Sequence, residues 1–334
     1  MTGRERVFAT IDGRQPDSIP LMPITMMFAA QQIGAKYRDY ASDYKVLAEA
    51  QAATAEKFDF DYISVISDPA REAADLGAAI EWFDDQPPAI DEVNALLAEK
   101  SRLAGLRVLD PSQGARMSDR VRGVEALLER AGEDLLVEGW VEGPCAEASD
   151  LRGINRLMTD FFDDPGFVHD LFAFVVEQAL LFAKAQIAAG AHIIGVGDAA
   201  ASLVGPSIYE EHVLHYERRL VDGIHEAGGI VRLHICGKTR RLFHGMGSLG
   251  CEVVDLDWMA PIAEARAVMG PEQVLLGNLD PVAVLRAGTP ESVTAAAREC
   301  QAAAGGRWIA GAGCEVARDT PEENLLALCE YARR

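Results

Sequence analysis

The sequence predicts a closed (β/α)8 barrel of the TIM type, on three observations. Eight short β-type runs alternate with amphipathic helical segments along 334 residues. Most of the runs are apolar at consecutive positions, as parallel strands covered on both faces require. No Gly-rich dinucleotide fingerprint follows an early run, which disfavours a doubly wound open sheet. Active sites of (β/α)8 barrels sit at the C-terminal ends of the strands, so this fold also says where chemistry belongs.

The runs occupy residues 19–24 (IPLMPI), 62–67 (YISVIS), 135–141 (LLVEGWV) and 192–197 (HIIGVG). They continue at 229–236 (GIVRLHIC), 251–258 (CEVVDLDW), 273–278 (QVLLGN) and 307–313 (RWIAGAG). Between them, 42–58 opens on a Ser42 or Asp43 cap, and 163–190 carries Pro165 near its start and Gly190 at its end, both helix-boundary signals. Segments 207–229 and 321–334 continue the alternation. Residues 84–133 read as a charged, helical insertion after the second run. No linker, repeat or low-complexity stretch divides the chain, so residues 1–334 are expected to form one barrel domain.

Composition narrows the function. The chain carries 52 Asp and Glu against 31 Lys and Arg, a formal charge of −21. Nucleic acid is excluded as an expected partner, because phosphate contacts need clustered positive charge. The N-terminus lacks the apolar core of a secretory signal, and no uninterrupted apolar run reaches the roughly 20 residues of a membrane helix. The expected location is therefore cytoplasmic, with no membrane partner. There the six cysteines are expected to stay reduced, and so to be buried, catalytic or metal-binding.

The stretch VRLHICGKT places His234 and Cys236 two residues apart, on one face of an extended strand. Cys314 follows the last run, and in a barrel both strand ends open on one mouth. Zinc favours such nitrogen and thiolate donors, and a catalytic site keeps one position open. By itself the His-x-Cys pattern is better read as core packing, since free cysteine behaves as a small apolar residue. Barrel placement brings the metal reading level with it. Asp68, Glu142, Asp198, Asp255, Asp257 and Asp280 fall at the same level. Asp257 is a candidate to ligate, or to orient His234 from behind. Met22, Met26, Met27 and Phe28, in MPITMMF, either line the mouth or pack in the core. Cys145 reaches the mouth if strand three ends before it; Cys251, Cys300 and Cys329 lie in apolar patterns that suit core packing. The stretch DGIHEAGG lacks the Asp-x-His-x-x-Gly spacing with which a protein histidine ligates cobalamin, so no tightly held corrinoid is expected within the chain.

With these residues assembled, the chain resembles the uroporphyrinogen decarboxylase superfamily. Within it the likeness is to the cobalamin-dependent methyltransferase branch of the methylcobalamin:coenzyme M type. The likeness runs nearly end to end, through RERVFATIDGRQPDSIPLMP, FDFDYISVISDPAREAADLGA, EGPCAEASDLRG, GDAAASLVGPSIYEEHVLHY, GCEVVDLDW, LLGNLDP and GAGCEVARDTPEENLLAL. The decarboxylases proper carry an Arg-x-x-Gly-Arg segment that grips the acidic tetrapyrrole, where this chain reads ITMMFAAQQIG, and a Gly-His-Gly element, where it reads GAGCE. Carboxylate side chains need cationic partners, so both departures count against porphyrinogen decarboxylation.

The resemblance implies Zn2+ held by His234, Cys236 and Cys314, with Asp257 the match for an acidic fourth ligand. It aligns Asp68 with a superfamily active-site aspartate. It implies methylcobalamin presented by a separate corrinoid protein, with Met26, Met27 and Asp198 as candidate contacts at the mouth. The small methyl donor or acceptor is left open among thiols, methylamines, methoxy compounds and folates. Arg71, Lys238, Arg240 and Arg318 are the candidate contacts for an anionic one. A metal-free lyase and a noncatalytic corrinoid-binding barrel are the alternatives.

Overall fold

The apolar runs pair as parallel strands, each joined to the next by a segment containing one or more helices. In the computed structural model, which describes residues 1–334, these are β1 (Tyr62–Ser64), β2 (Leu136–Glu142), β3 (Ile193–Gly197), β4 (Val231–Ile235), β5 (Val253–Leu256), β6 (Val274–Leu276) and β7 (Trp308–Ile309). They lie side by side in chain order in one seven-stranded sheet. The register sets Gly197 beside His234, and His234 beside Asp255.

The first expected strand, 19–24, does not form a regular ladder. It makes one isolated parallel bridge, Leu21 to Ala310. Met22 N–H donates to Ala310 O at 2.9 Å and Ala310 N–H to Pro20 O at 2.8 Å, while Asp61 N–H donates to Leu21 O at 3.1 Å. Residues 20–22 thus bridge the two edge strands and occupy the eighth position of the barrel. Pro20 and Pro23 have no N–H to give, which keeps the pairing to this short contact.

Inward-facing side chains alternate along the strands and stack in layers. Tyr62, Leu136, Ile193, Val253, Val274 and Ile309 form the floor, together with Val7 of helix Gly3–Ile11, which plugs the N-terminal end. Thr2 caps that helix in a reciprocal box with Glu5. Above the floor lies a charged layer: Arg232 pairs with Glu138 at 3.1 Å and with Asp255 at 2.7 Å, all three fully buried. Tyr62 and Trp140 face its guanidinium at 5.5 and 6.0 Å. Gly195 makes room for this packing, since a Cβ there would lie 2.1 Å from the Trp140 ring.

The stretch 84–133 divides in two. Its first part holds one strand of a small hairpin (Ile80–Glu81 with Ala89–Ile90) and two 3-10 turns. The helix Ala115–Ala131 packs on β1 and β2, as a barrel helix does, so the helical part belongs to the barrel and not to an insertion. Helix Pro165–Ala188 is long and apolar enough to cross a membrane by length and composition. Here it packs against β2 and helices Pro144–Arg152 and Leu214–Glu226, burying Val168, Leu171, Phe172 and Val175.

Candidate metal centre at the barrel mouth

The alternation of β4 aims Arg232, His234 and then Cys236 along one inward line. Gly237 follows with φ +93°, a backbone turn open to glycine at little cost, and so the chain leaves the strand directly after the thiol. Cys314 arrives from the loop after β7. Gly313 allows this loop to lie against Trp258, whose backbone nitrogen would be 2.1 Å from a Cβ at that position.

The three side chains converge. His234 Nε2 is 3.1 Å from Cys236 Sγ, and the two sulfurs are 3.9 Å apart. One ligand atom from each of His234, Cys236 and Cys314 lies within 4.8 Å of the others. A tetrahedral ion with Zn–S of about 2.3 Å sets two thiolates roughly 3.8 Å apart, close to what the pair already has. The imidazole need withdraw from Cys236 by only about 0.5 Å to reach the corresponding N···S separation. The residues fit zinc, in a set of three with one side left open.

Behind them a chain of charge fixes the imidazole. His234 Nδ1 lies 3.2 Å from Asp255 Oδ2 and 3.2 Å from the Asp255 carbonyl, which leaves Nε2 for the cluster. This is the carboxylate–histidine arrangement that orients metal-binding imidazoles. Asp255 is held in turn by Arg232. Burial opposes its charge, but Arg232 and His234 outweigh burial and hold the carboxyl below its usual range. Burial likewise opposes a charged His234, and the neighbouring Cys236 and Asp255 overcome it and raise the imidazole. A hydrogen bond from Cys236 pulls Cys314 down to about 4 against burial, with help from His234, and the same bond together with burial pushes Cys236 up.

The cluster opens on a cleft of about 200 Å3. Ile24, Met26, Ile66 and Trp140 make its apolar walls, and Asp68, Arg71, Glu142 and Glu315 its polar ones. Asp68 is buried at the cleft, with both oxygens on Arg116 at 2.9 and 2.7 Å. Burial opposes its ionisation, and the Arg116 guanidinium prevails and keeps the carboxyl low. Arg71 donates to Glu142 at 2.8 Å. Burial raises Glu142 to about 8, Arg71 only partly offsetting it. Glu315 accepts the Met27 N–H at 2.7 Å, and burial raises it to about 7.

Three expected site residues are neither in the three-ligand cluster nor in the cleft lining. Asp198 is fully buried behind the cleft wall: its Oδ1 accepts the Ala146 N–H at 2.6 Å and secures the start of helix Pro144–Arg152. It faces no ligand. Met26 lines the cleft, but Met27 does not; its contribution is the backbone N–H that holds Glu315. Asp257 is outside the three-ligand cluster, and its Oδ1 accepts the Met259 N–H at 2.8 Å in the turn after β5. The orienting role considered for it falls to Asp255. Cys145 is fully buried and does not reach the mouth, whereas Cys251, Cys300 and Cys329 are core residues as expected.

Sequence reasoning missed Glu315 and Arg116. The first follows Cys314 directly and reads as an ordinary polar loop residue. The second comes from a helix start 48 positions after Asp68, with no local pattern to join them.

The solved structure of a methyltransferase from Methanosarcina mazei superposes with a TM-score of 0.91 at 21% identity, covering 99% of this chain and 98% of that one. In sequence, the methylcobamide:CoM methyltransferase MtbA of Methanosarcina mazei is 28% identical, over 99% of this chain and 98% of its own length. A uroporphyrinogen decarboxylase of Nocardia farcinica is 32% identical over a shorter region, 68% of this chain and 67% of its own. The profile of the family described as Uroporphyrinogen decarboxylase (URO-D) matches residues 2–334, and the chain belongs to that family.

Proposed function

We propose that the protein is a zinc-dependent methyltransferase. It moves a methyl group between a corrinoid carried by a partner protein and a small thiol or other small methyl donor or acceptor. The observation that carries this reading is the convergence of His234, Cys236 and Cys314 at the open end of the barrel. A relative aligned along the whole chain is named as a methylcobamide:CoM methyltransferase, which supports the same chemistry.

The decarboxylase reading meets two obstacles. A tetrapyrrole with several carboxylates is far larger than a cleft of about 200 Å3. Its acids would also need free cations, whereas Arg71 and Arg116 are already engaged by Glu142 and Asp68.

Zinc, held by His234, Cys236 and Cys314, would supply Lewis acidity, which favours the thiolate form of a thiol at neutral pH. The chain supplies everything around that event. Cys236 and Cys314 provide thiolates, Asp255 holds the His234 ring with Nε2 forward, and Arg232 fixes Asp255. Ile24, Met26 and Trp140 exclude water from the side where the small molecule enters. No histidine of the chain is needed as a corrinoid ligand, which suits a cofactor brought by a partner.

The test uses zinc-loaded protein, free methylcobalamin in place of the partner, and a small thiol. Loss of the methylcobalamin absorbance with matching thioether formation, abolished by a chelator and restored by zinc, is the expected result. No transfer with any thiol, methylamine or methoxy compound, even with protein-bound corrinoids, would remove the methyltransferase reading.

A further inference from the structure

Methylation of a thiol sets a proton free. The S–H bond breaks, the sulfur electron pair forms the S–CH3 bond, and the pair of the Co–C bond stays on cobalt, which passes from Co(III) to Co(I). In a cleft walled by Ile24, Met26, Ile66 and Trp140, that proton needs an acceptor close by.

Three acids line the cleft: Asp68, Glu142 and Glu315. Asp68 gives both oxygens to Arg116, at 2.9 and 2.7 Å, which leaves it a poor base. Glu315 Oε1 holds the Met27 N–H at 2.7 Å and so ties the loop after β7 to the first segment of the barrel. Glu142 is placed differently. Its Oε1 takes two bonds, from Arg71 Nη2 at 2.8 Å and from Trp140 Nε1 at 3.3 Å. Its Oε2 accepts nothing from the chain, yet it is not sealed in, and it opens on the cleft. One oxygen anchors the side chain and the other is presented.

Strand register sets that oxygen across from the cysteine cluster. Glu142 of β2 lies beside Gly197 of β3, and Gly197 lies beside His234 of β4. Strands are about 4.8 Å apart, so Glu142 and His234 flank a gap two strands wide. Gly197 puts no side chain into it. The Trp140 ring lies beneath, where a Cβ on Gly197 would come within 3.0 Å of it. A small thiol in this gap has His234, Cys236 and Cys314 on one side and Glu142 on the other.

The groups around Glu142 keep it able to exchange a proton. Arg71 and Glu72 face it from helix Arg71–Asp75, and Glu147 and Asp150 from helix Pro144–Arg152. Burial lifts Glu147 and Asp150 well above the carboxylate range, so both stay neutral. Burial also raises Glu142 to about 8, with Arg71 opposing and Glu72 adding to the rise. A carboxyl that titrates near the working pH takes a proton in one direction and returns it in the other.

Resting on the methyl-transfer reading, we propose that Glu142 is a catalytic residue whose Oε2 takes the S–H proton of the acceptor thiol as the S–CH3 bond forms. In the reverse reaction it returns that proton to the departing sulfur. Arg71 and Trp140 are positioning residues that hold Oε1 and leave Oε2 free.

The test uses zinc-loaded wild type, Glu142→Gln, Glu142→Asp and Glu315→Gln, with 2-mercaptoethanol as the thiol and methylcobalamin as the methyl source. Because the carboxylate is the active form, wild-type kcat is expected to rise with pH through about 8 and then level off. Glu142→Gln is expected to lower kcat at least about a hundredfold, to keep KM within about threefold, and to lose that step. Glu142→Asp and Glu315→Gln are expected to keep the step. Should Glu142→Gln fail to fold, Glu142→Asp decides, and loss of its step overturns the proposal. So does a kcat within about threefold of wild type in Glu142→Gln, or a step that vanishes with Glu315→Gln instead.

A proton count separates this from the methyl-transfer reading. Thiol binding at pH 8 is followed by calorimetry in buffers of different ionisation enthalpy. Glu142 is then about half ionised, so Glu142→Gln is expected to release to buffer about half a proton more per thiol than the wild type. That difference without methyl transfer in the wild type removes the methyltransferase reading and keeps Glu142 as the proton acceptor. Equal release, or no thiol binding, overturns the role of Glu142 even where transfer proceeds.

Discussion

Cys314→Ser is expected to lower zinc content from about one per chain to less than about a tenth of that, and to slow methyl transfer by at least about a thousandfold. Serine keeps the shape of the side chain, but its hydroxyl does not ionise near neutral pH and is a poor ligand for a borderline-soft ion. The loss should be specific. Cys314 is only partly buried, so the oxygen can be solvated and the fold retained. Elemental analysis beside circular dichroism separates the outcomes. A variant that keeps its zinc would place the ion away from Cys314, and one that unfolds would make the thiol structural.

Asp255→Ala is expected to have the largest effect on stability. It leaves Arg232 fully buried with Glu138 as its only carboxylate, and it removes the partner of His234 Nδ1. Breaking a buried ion pair on one side costs about 3–5 kcal/mol, most of it from the charge left behind. Loss of an orienting carboxylate lowers metal affinity by about 10–100-fold. Urea unfolding of the metal-free protein reads the first effect, and competition with a chromophoric chelator the second. Asp255→Asn is expected to restore much of the zinc affinity and little of the stability, because it keeps an acceptor near the imidazole and gives up the charge that faces Arg232. A change below about 1 kcal/mol in Asp255→Ala would show that the charged layer does not hold the barrel together.

Much of this layout is legible in the residues. Consecutive apolar positions in HIIGVG and GIVRLHIC fix parallel strands, and the two-residue spacing of His234 and Cys236 puts both on one side. Cys314 joins them because barrel topology brings all strand ends to one mouth. The first strand was harder to read. IPLMPI has the apolar content of a strand, yet its two prolines reduce it to a bridge between β7 and the residues before β1.

The site's support was visible without being decipherable. Arg232, Glu138 and Asp255 each stand in an apolar strand, and a charge in such a place must find an opposite one. Which charges meet depends on strand order and register, so Asp255 and Asp257 cannot be told apart from the run VVDLDW. Alternation aims both inward. The neighbouring Arg232 and His234 in β4 then claim Asp255, and the turn after β5 claims Asp257. Asp198 misleads for a related reason. It follows β3 at the right height, but the start of helix Pro144–Arg152 offers it an N–H and turns it away from the cleft. Glu315 and Arg116 depend on contacts between distant segments, Met27 with Glu315 and Asp68 with Arg116, which no local pattern announces.

X-ray absorption at the zinc edge of the wild-type protein, purified without added metal and then reconstituted, tests the central claim most directly. The account expects about one zinc per chain, with two sulfur ligands near 2.3 Å and at least one nitrogen near 2.0–2.1 Å. Protein that takes up no zinc, or holds it through nitrogen and oxygen alone, would contradict it and return His234, Cys236 and Cys314 to the ordinary lining of a barrel.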